Sequence, residues 1–299
     1  WRQLYLVERD GSNVRKVTKG KYDIIRTLKV DETGSQLYFI ASPDNATERY
    51  LYRIGLDGKG LKRLSAADQT GSHSYNISPD AKWALHTYSN IDSPPVTNLI
   101  ELPSHKVIRV MEKNQDLWDK LEKLKRPKSK FFRVKIGNGL EVDAYAVLPP
   151  HLDPKKKYPL LVYVYGEPAG QTTVNSWRGS GGLWHWMLAQ QGYVVMSIDN
   201  RGTTAPRGNA WRKSIYRQVG ILASKDQATA VKQVLKDRPY LDAGQVGVWG
   251  WSGGGSMALN ALFRYPNLYR MGISIAPVPN QRLYDTIYQE RYMGLPKDN

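Results

Sequence analysis

Residues 247–257 read GVWGWSGGGSM and hold Gly250-x-Ser252-x-Gly254 directly after an apolar run. This spacing can set a serine on a tight strand-to-helix turn, its hydroxyl exposed for attack on a carbonyl. The glycines have a steric reason. Residues two before and two after such a serine crowd each other, and glycine removes the clashing Cβ atoms. The amide of Gly253 would open the next helix, where free N–H groups can meet a developing oxyanion. A serine hydroxyl at its ordinary pKa is a weak nucleophile and needs a base. Yet no histidine follows Ser252; His73, His86, His105, His151 and His185 all precede it. Taken alone, the pentapeptide is also compatible with a glycine turn that does no chemistry.

The elements around Ser252 decide between these readings. From Phe131 the chain alternates strand and helix. Residues 131–136 and 142–148 flank an Asn-Gly turn and predict a hairpin. Strands are expected at 158–165 (YPLLVYVY), 193–198 (YVVMSI), 245–249 and 271–276, with helices at 183–191, 225–235 and 253–264. Apolar strands alternating with helices predict a parallel sheet covered on both faces. Ser252 falls between a strand and a helix, the context the motif requires.

Residues 1–112 read differently. Apolar-rich runs at 3–7, 36–40, 50–54, 83–86 and 98–100 are punctuated by Asp-Gly and Ser-Pro-Asp turns. LYLVERDGSNVRKVT and LYRIGLDGKGLKRLS form a weak repeat of strand, turn and strand. Such units suggest two or three β-propeller blades, with a plain antiparallel sandwich as the simpler reading. Residues 113–130, a short amphipathic helix and a basic Pro-containing stretch, are expected to link this region to an α/β domain over 131–299.

Composition narrows the function. The formal net charge is +16, but the basic clusters 120–130 and 155–157 lie in the expected linker and a turn, without a nucleic-acid-binding motif. No nucleic-acid partner is expected. No run of about 18 apolar residues exists, so no membrane span is expected. The first residues lack a signal-peptide pattern and read as mid-domain strand. There are no cysteines, and the scattered histidines form no metal-spaced pair, so no cofactor or metal is expected.

At this point the residues resemble a known family. GWSGGG, the strand 158–168 ending Tyr-Gly-Glu-Pro, Asp199-Asn-Arg-Gly202, Asp226-Gln227, Ala276-Pro-Val278 and the segment 284–296 (YDTIYQERYMGLP) resemble serine peptidases of the prolyl oligopeptidase clan, closest to the dipeptidyl peptidase IV group. The resemblance implies an α/β-hydrolase domain preceded by the last propeller blades. It implies acyl transfer through Ser252, with the triad order Ser, Asp, His. The Asp and His would then lie beyond Asn299, the chain would be a fragment, and the fragment alone would be inactive. Tyr165 matches the tyrosine that completes the oxyanion hole with the Gly253 amide. Val278, Tyr284 and Tyr288 match residues lining the pocket for the penultimate substrate residue, usually proline. The i, i+4 spacing of the two tyrosines predicts one shared helix face.

Three departures bear on specificity. Gly253 replaces an aromatic residue common after the serine. Gln281 stands where the family has a pocket tryptophan. The propeller carboxylates that would hold a substrate's free N-terminus are not in these residues. The implied function is release of N-terminal dipeptides with Pro or Ala at the penultimate position. A prolyl endopeptidase, an acyl-aminoacyl peptidase and a catalytically dead binding relative stay open. By the same analogy the protein would be an exported bacterial peptidase, with a homodimer possible.

Overall fold

The computed structural model describes residues 1–299, which divide into two compact units. The first comprises Trp1–Lys123 with Val174–Gly179 and Pro206–Asn209; the second holds the rest.

In the first unit, β1 (Tyr5–Leu6) and β2 (Arg15–Lys16) form a hairpin. Strands β3 (Ile24–Asp31), β4 (Gln36–Ala41), β5 (Tyr50–Gly55) and β6 (Lys62–Arg63) build one antiparallel sheet in sequence order. A second such sheet contains β7 (Ser72–Ile77), β8 (Trp83–Asn90), β9 (Ser93–Glu101) and β10 (Val107–Glu112). These are propeller blades. Both copies of the sequence repeat are hairpins, β1–β2 and β5–β6, and both Asp-Gly turns place the glycine at φ 84°. That is the left-handed region glycine enters freely. The continuous apolar run of β4 has a physical cause: its alternate side chains serve two cores. Leu37, Phe39 and Ala41 pack with Tyr52 and Ile54, while Tyr38 and Ile40 pack with Leu51, Ala84 and Ile100. Helix α1 (Gln115–Glu122) closes the unit.

The two segments borrowed from later sequence are held by hydrogen bonds within this unit. The Asn175 amide donates to the Thr47 carbonyl at 2.7 Å, its side chain donates to Glu48 at 3.2 Å, and it accepts from the Ile91 amide at 3.0 Å. Asp23 accepts from the amides of Arg2 and Gly208.

The second blade buries a stack of histidines. His73 Nε2 donates to the Gln69 carbonyl at 3.0 Å, so its Nδ1 accepts from His86 Nε2–H at 2.9 Å in the neutral pair. His105 packs edge-on against His86 and meets the Tyr75 hydroxyl at 2.9 Å. Tyr50, Tyr75, Tyr88, Glu48 and Arg63 complete the surroundings. Burial holds His73 down to about 4 and His86 to about 3, with neighbouring imidazoles adding to the shift at His86. An unfolded histidine titrates near 6.5, so the unfolded chain binds protons that the folded blade refuses. The stability these histidines confer is complete above pH 6.5 and falls as pH drops toward 4 and below. Together they are expected to cost the fold on the order of 2 kcal/mol or more at pH 5. Thermal melts at pH 7 and pH 5 should show the first unit melting earlier in acid. His86→Phe should flatten that difference.

The second unit carries a six-stranded sheet. Strands β11 (Lys128–Gly137) and β12 (Leu140–Leu148) form the expected hairpin, with Asn138 and Gly139 both at positive φ, 50° and 69°. That geometry matches the strand twist and selects Asn-Gly. β12 pairs antiparallel with β14 (Val194–Asp199). β14, β13 (Tyr158–Tyr163), β15 (Leu241–Trp251) and β16 (Met271–Ile275) then run parallel, giving the order β11-β12-β14-β13-β15-β16. Every residue of β14 is buried, as a strand covered on both faces requires. The helices are α2 (Gly179–Gln190), α3 (Gly208–Lys213), α4 (Ile221–Asp237), α5 (Gly253–Arg264) and α6 (Thr286–Met293). This is an α/β-hydrolase sheet. No helix is long and apolar enough to cross a membrane.

Candidate active site

Ser252 stands between β15 and α5 at φ 56° and ψ −120°. An L-residue held there stores about 1–3 kcal/mol of strain, tolerated only where the surroundings over-determine it. The surroundings here do so. The Ser252 amide donates to the Ile275 carbonyl at 2.9 Å, and the Val164 amide donates to the Trp249 carbonyl at 2.9 Å. A Cβ on Gly250 would lie 2.3 Å from the Gly254 carbonyl oxygen, and one on Gly254 would lie 2.2 Å from that of Val164. A Cβ on Gly255 would meet the Ile275 carbonyl oxygen at 2.6 Å. The three glycines therefore let the turn after β13, the elbow and the end of β16 close on one another. All three clashes are with backbone, which cannot swing aside. Gly254→Ala is expected to cost about 3 kcal/mol or more by overpacking. Denaturant unfolding of this variant should show a lower midpoint at unchanged slope.

The turn over the elbow carries Tyr165. Its Cα lies 3.3 Å from where a Gly254 Cβ would sit, and Gly170 leaves space for its ring, since a Cβ there would meet Tyr165 Cδ1 at 2.8 Å. Burial, and then the nearby Glu167 carboxylate, push the Tyr165 hydroxyl up from its usual range. It thus stays protonated, a hydrogen-bond donor, at all ordinary pH. The Gly253 amide begins α5.

The turn is tied down from below. Asn200 Nδ2 donates to the Gly166 carbonyl at 2.9 Å, and Gln227 Nε2 donates to Asn200 Oδ1 at 3.0 Å. Arg201 pairs with Asp226 through Nε at 2.9 Å and Nη2 at 2.8 Å. Asp199 accepts from the amides and hydroxyls of Thr172 and Thr173. The segments Asp199–Gly202 and Asp226–Gln227 thus position the turn.

On the other side, Ser256 of α5 accepts from the Val278 amide at 2.9 Å and donates to its carbonyl at 3.1 Å, fixing half-buried Val278 to the elbow helix. Tyr284 and Tyr288 do meet, ring edge to face at 5.6 Å. They do not share a helix. Asp285 caps α6 by accepting from the Tyr288 amide at 2.8 Å, so Tyr284 lies before the helix in extended backbone. The cap residue between the two tyrosines broke the i, i+4 expectation. Gln281 accepts from the Gln289 side chain of α6.

One residue escaped the sequence reading. Glu167 is buried, and its Oε2 accepts from the Tyr288 hydroxyl at 2.7 Å. A Cβ on Gly253 would meet its carboxyl carbon at 2.6 Å. Burial pushes the Glu167 carboxyl up, opposed by the Tyr288 bond. The signal was the pairing of an acid in the Tyr-Gly-Glu-Pro turn with the glycine after Ser252. His185 lies in α2 against Tyr163, Trp184 and Trp249.

Comparison with known proteins fits this geometry. Residues 184–299 match the family model described as the prolyl oligopeptidase family, and residues 1–95 match the dipeptidyl peptidase IV N-terminal region. Dipeptidyl peptidase 4 of Trichophyton equinum is 31% identical over 295 residues, 98% of this chain and 38% of that protein. A probable dipeptidyl-aminopeptidase B of Metarhizium robertsii is 32% identical over 99% of this chain and 32% of its own length. The crystal structure of Porphyromonas gingivalis dipeptidyl peptidase 4 superposes with a TM-score of 0.92 at 32% identity, covering 99% of this chain and 41% of that one. The chain spans less than half the length of each of these relatives. With the strained serine elbow, the tied-down tyrosine turn and the blade pair all in place, the chain belongs to the prolyl oligopeptidase family, on its dipeptidyl peptidase IV side.

Proposed function

We propose that this chain carries the nucleophile of a serine exopeptidase that releases N-terminal dipeptides. Ser252 attacks the carbonyl after the second residue. The Tyr165 hydroxyl and the Gly253 amide hold the resulting oxyanion, and Val278, Tyr284 and Tyr288 hold a small penultimate residue, Pro or Ala. The observation that carries this reading is the Ser252 backbone, a strained conformation locked by three glycines packed against the carbonyls of Val164, Gly254 and Ile275. Strain of this kind is kept where it serves a site. The relatives' names, dipeptidyl peptidase and dipeptidyl-aminopeptidase, support the substrate class. The general base and its carboxylate partner come, in this reading, from chain following these residues in the order Ser, Asp, His. The 299 residues alone are therefore expected to be inactive.

The test is hydrolysis of Gly-Pro and Ala-Pro chromogenic amides by the intact protein. Release from free-amine substrates but not from their N-blocked forms supports a dipeptidyl peptidase. Cleavage of the blocked forms makes it an endopeptidase or acyl-peptidase instead.

A further inference from the structure

Glu167 occupies the volume that a side chain at position 253 would fill. Its carboxyl carbon and Oε2 both lie 2.6 Å from the Cβ position of Gly253, the residue after the nucleophile. A carboxyl therefore stands against the residue that follows Ser252, and glycine at 253 is what admits it. The group is 5% exposed, yet no lysine, arginine or histidine forms an ion pair with it. One oxygen accepts from Tyr288, and the carboxyl has that single hydrogen bond. Its other oxygen is not enclosed by protein, so water can hold it in the free site, and a bound substrate that displaces this water must supply a donor of its own or leave the acceptor unpaired. Tyr288, its one partner, is also assigned to the substrate pocket, so the acceptor and the pocket share a wall. Position 281, where the resemblance expects a pocket tryptophan, holds a glutamine whose side chain is bonded to Gln289.

We propose that Glu167 is a specificity-determining residue that selects substrates whose penultimate side chain is short and carries a hydrogen-bond donor, such as a hydroxyl on a small chain or on a proline ring. This inference rests on the dipeptide-release reading of the same site. The carboxyl abuts Gly253, whose amide is assigned to the oxyanion, and this placement beside the expected scissile carbonyl suits a donor on the β- or γ-atom and not one at the end of a long chain. A purely apolar pocket favours alanine over serine and does not gain from an added hydroxyl. A pocket with a waiting acceptor does the reverse, because the analogue without the donor leaves the acceptor unpaired.

The experiment compares, in the intact protein, substrate pairs that differ by one hydroxyl: Ala-Ser against Ala-Ala amides, and Ala-4-hydroxyproline against Ala-Pro amides. The expected kcat/KM ratio is about 10-fold in favour of the hydroxyl member. Glu167→Met should bring it to one or below, and Glu167→Gln, which keeps the volume and an acceptor for Tyr288, should give an intermediate ratio. A ratio at or below one in the unmodified protein overturns the proposal. So does a ratio untouched by Glu167→Met. If that variant instead weakens every free-amine substrate equally, Glu167 holds the substrate's amino terminus and the proposal fails. Calorimetric binding of Ala-Ser-amide and Ala-Ala-amide to the Ser252→Ala protein gives the same ratio without catalysis. A hydroxyl preference in binding with no hydrolysis of any substrate upholds the proposal and defeats the peptidase reading; equal binding defeats the proposal.

Discussion

Ser252→Ala in the intact protein is expected to lower kcat on the order of 10⁶-fold, the size of effect seen when a triad nucleophile is removed. The argument is structural. The elbow has one hydroxyl, it belongs to Ser252, and Gly250, Gly254 and Gly255 around it make room for this turn. Alanine keeps the backbone strain and removes only the attacking oxygen. KM should change little, because the pocket residues are held by α5, α6 and the β13 turn and not by the serine hydroxyl. Steady-state kinetics on a free-amine chromogenic dipeptide, with melting temperature as a control for folding, separates this outcome from instability. A loss under tenfold would show that another group carries the reaction.

Tyr165→Phe is the second large effect. Removing one oxyanion donor costs about 10²–10³ in kcat, equivalent to roughly 3–4 kcal/mol in the transition state. The ring itself should stay where it is, because Gly170 shapes its space and the backbone beneath is tied through Gly166, Asn200 and Gln227. The loss should therefore fall on kcat and spare KM, the signature of an interaction made mainly in the transition state. Because burial and Glu167 keep the hydroxyl protonated, the Tyr165 contribution should not titrate below pH 10. A variant within threefold of the parent would remove Tyr165 from the oxyanion hole.

Much of this frame could be read from the sequence. The Asn-Gly turn specified the β11–β12 hairpin, because few residue pairs accept two positive φ values. The end of β15 and the whole of α5 followed from an apolar run, a serine and three small residues in a row. Other parts were hidden for identifiable reasons. β7 (SHSYNI) and β10 (VIRVME) offer polar or exposed side chains, so their pairing is decided by neighbouring strands and not by their own pattern. The histidine stack of the first unit joins residues up to 32 apart, and nothing in their spacing signals it. At the site, motif position points to Ser252 and Gly253, whereas it takes the fold to bring the Glu167 carboxyl over Gly253. A glycine where relatives carry a ring reads as a loss in sequence; in three dimensions another side chain fills the gap. Tyr284 and Tyr288 touch without sharing a helix, since the cap residue Asp285 separates them, and the i, i+4 spacing does not reveal that.

The central claim is that Ser252 is the residue that becomes acylated. Its most direct test is covalent labelling of the intact protein with a dipeptidyl phosphonate ester bearing a free amine, followed by peptide mass mapping. The account predicts one adduct per chain, on the peptide containing Ser252, blocked by prior incubation with substrate and absent from Ser252→Ala. An adduct on a different residue, or no adduct under conditions where the protein hydrolyses the matching dipeptide amide, would contradict it.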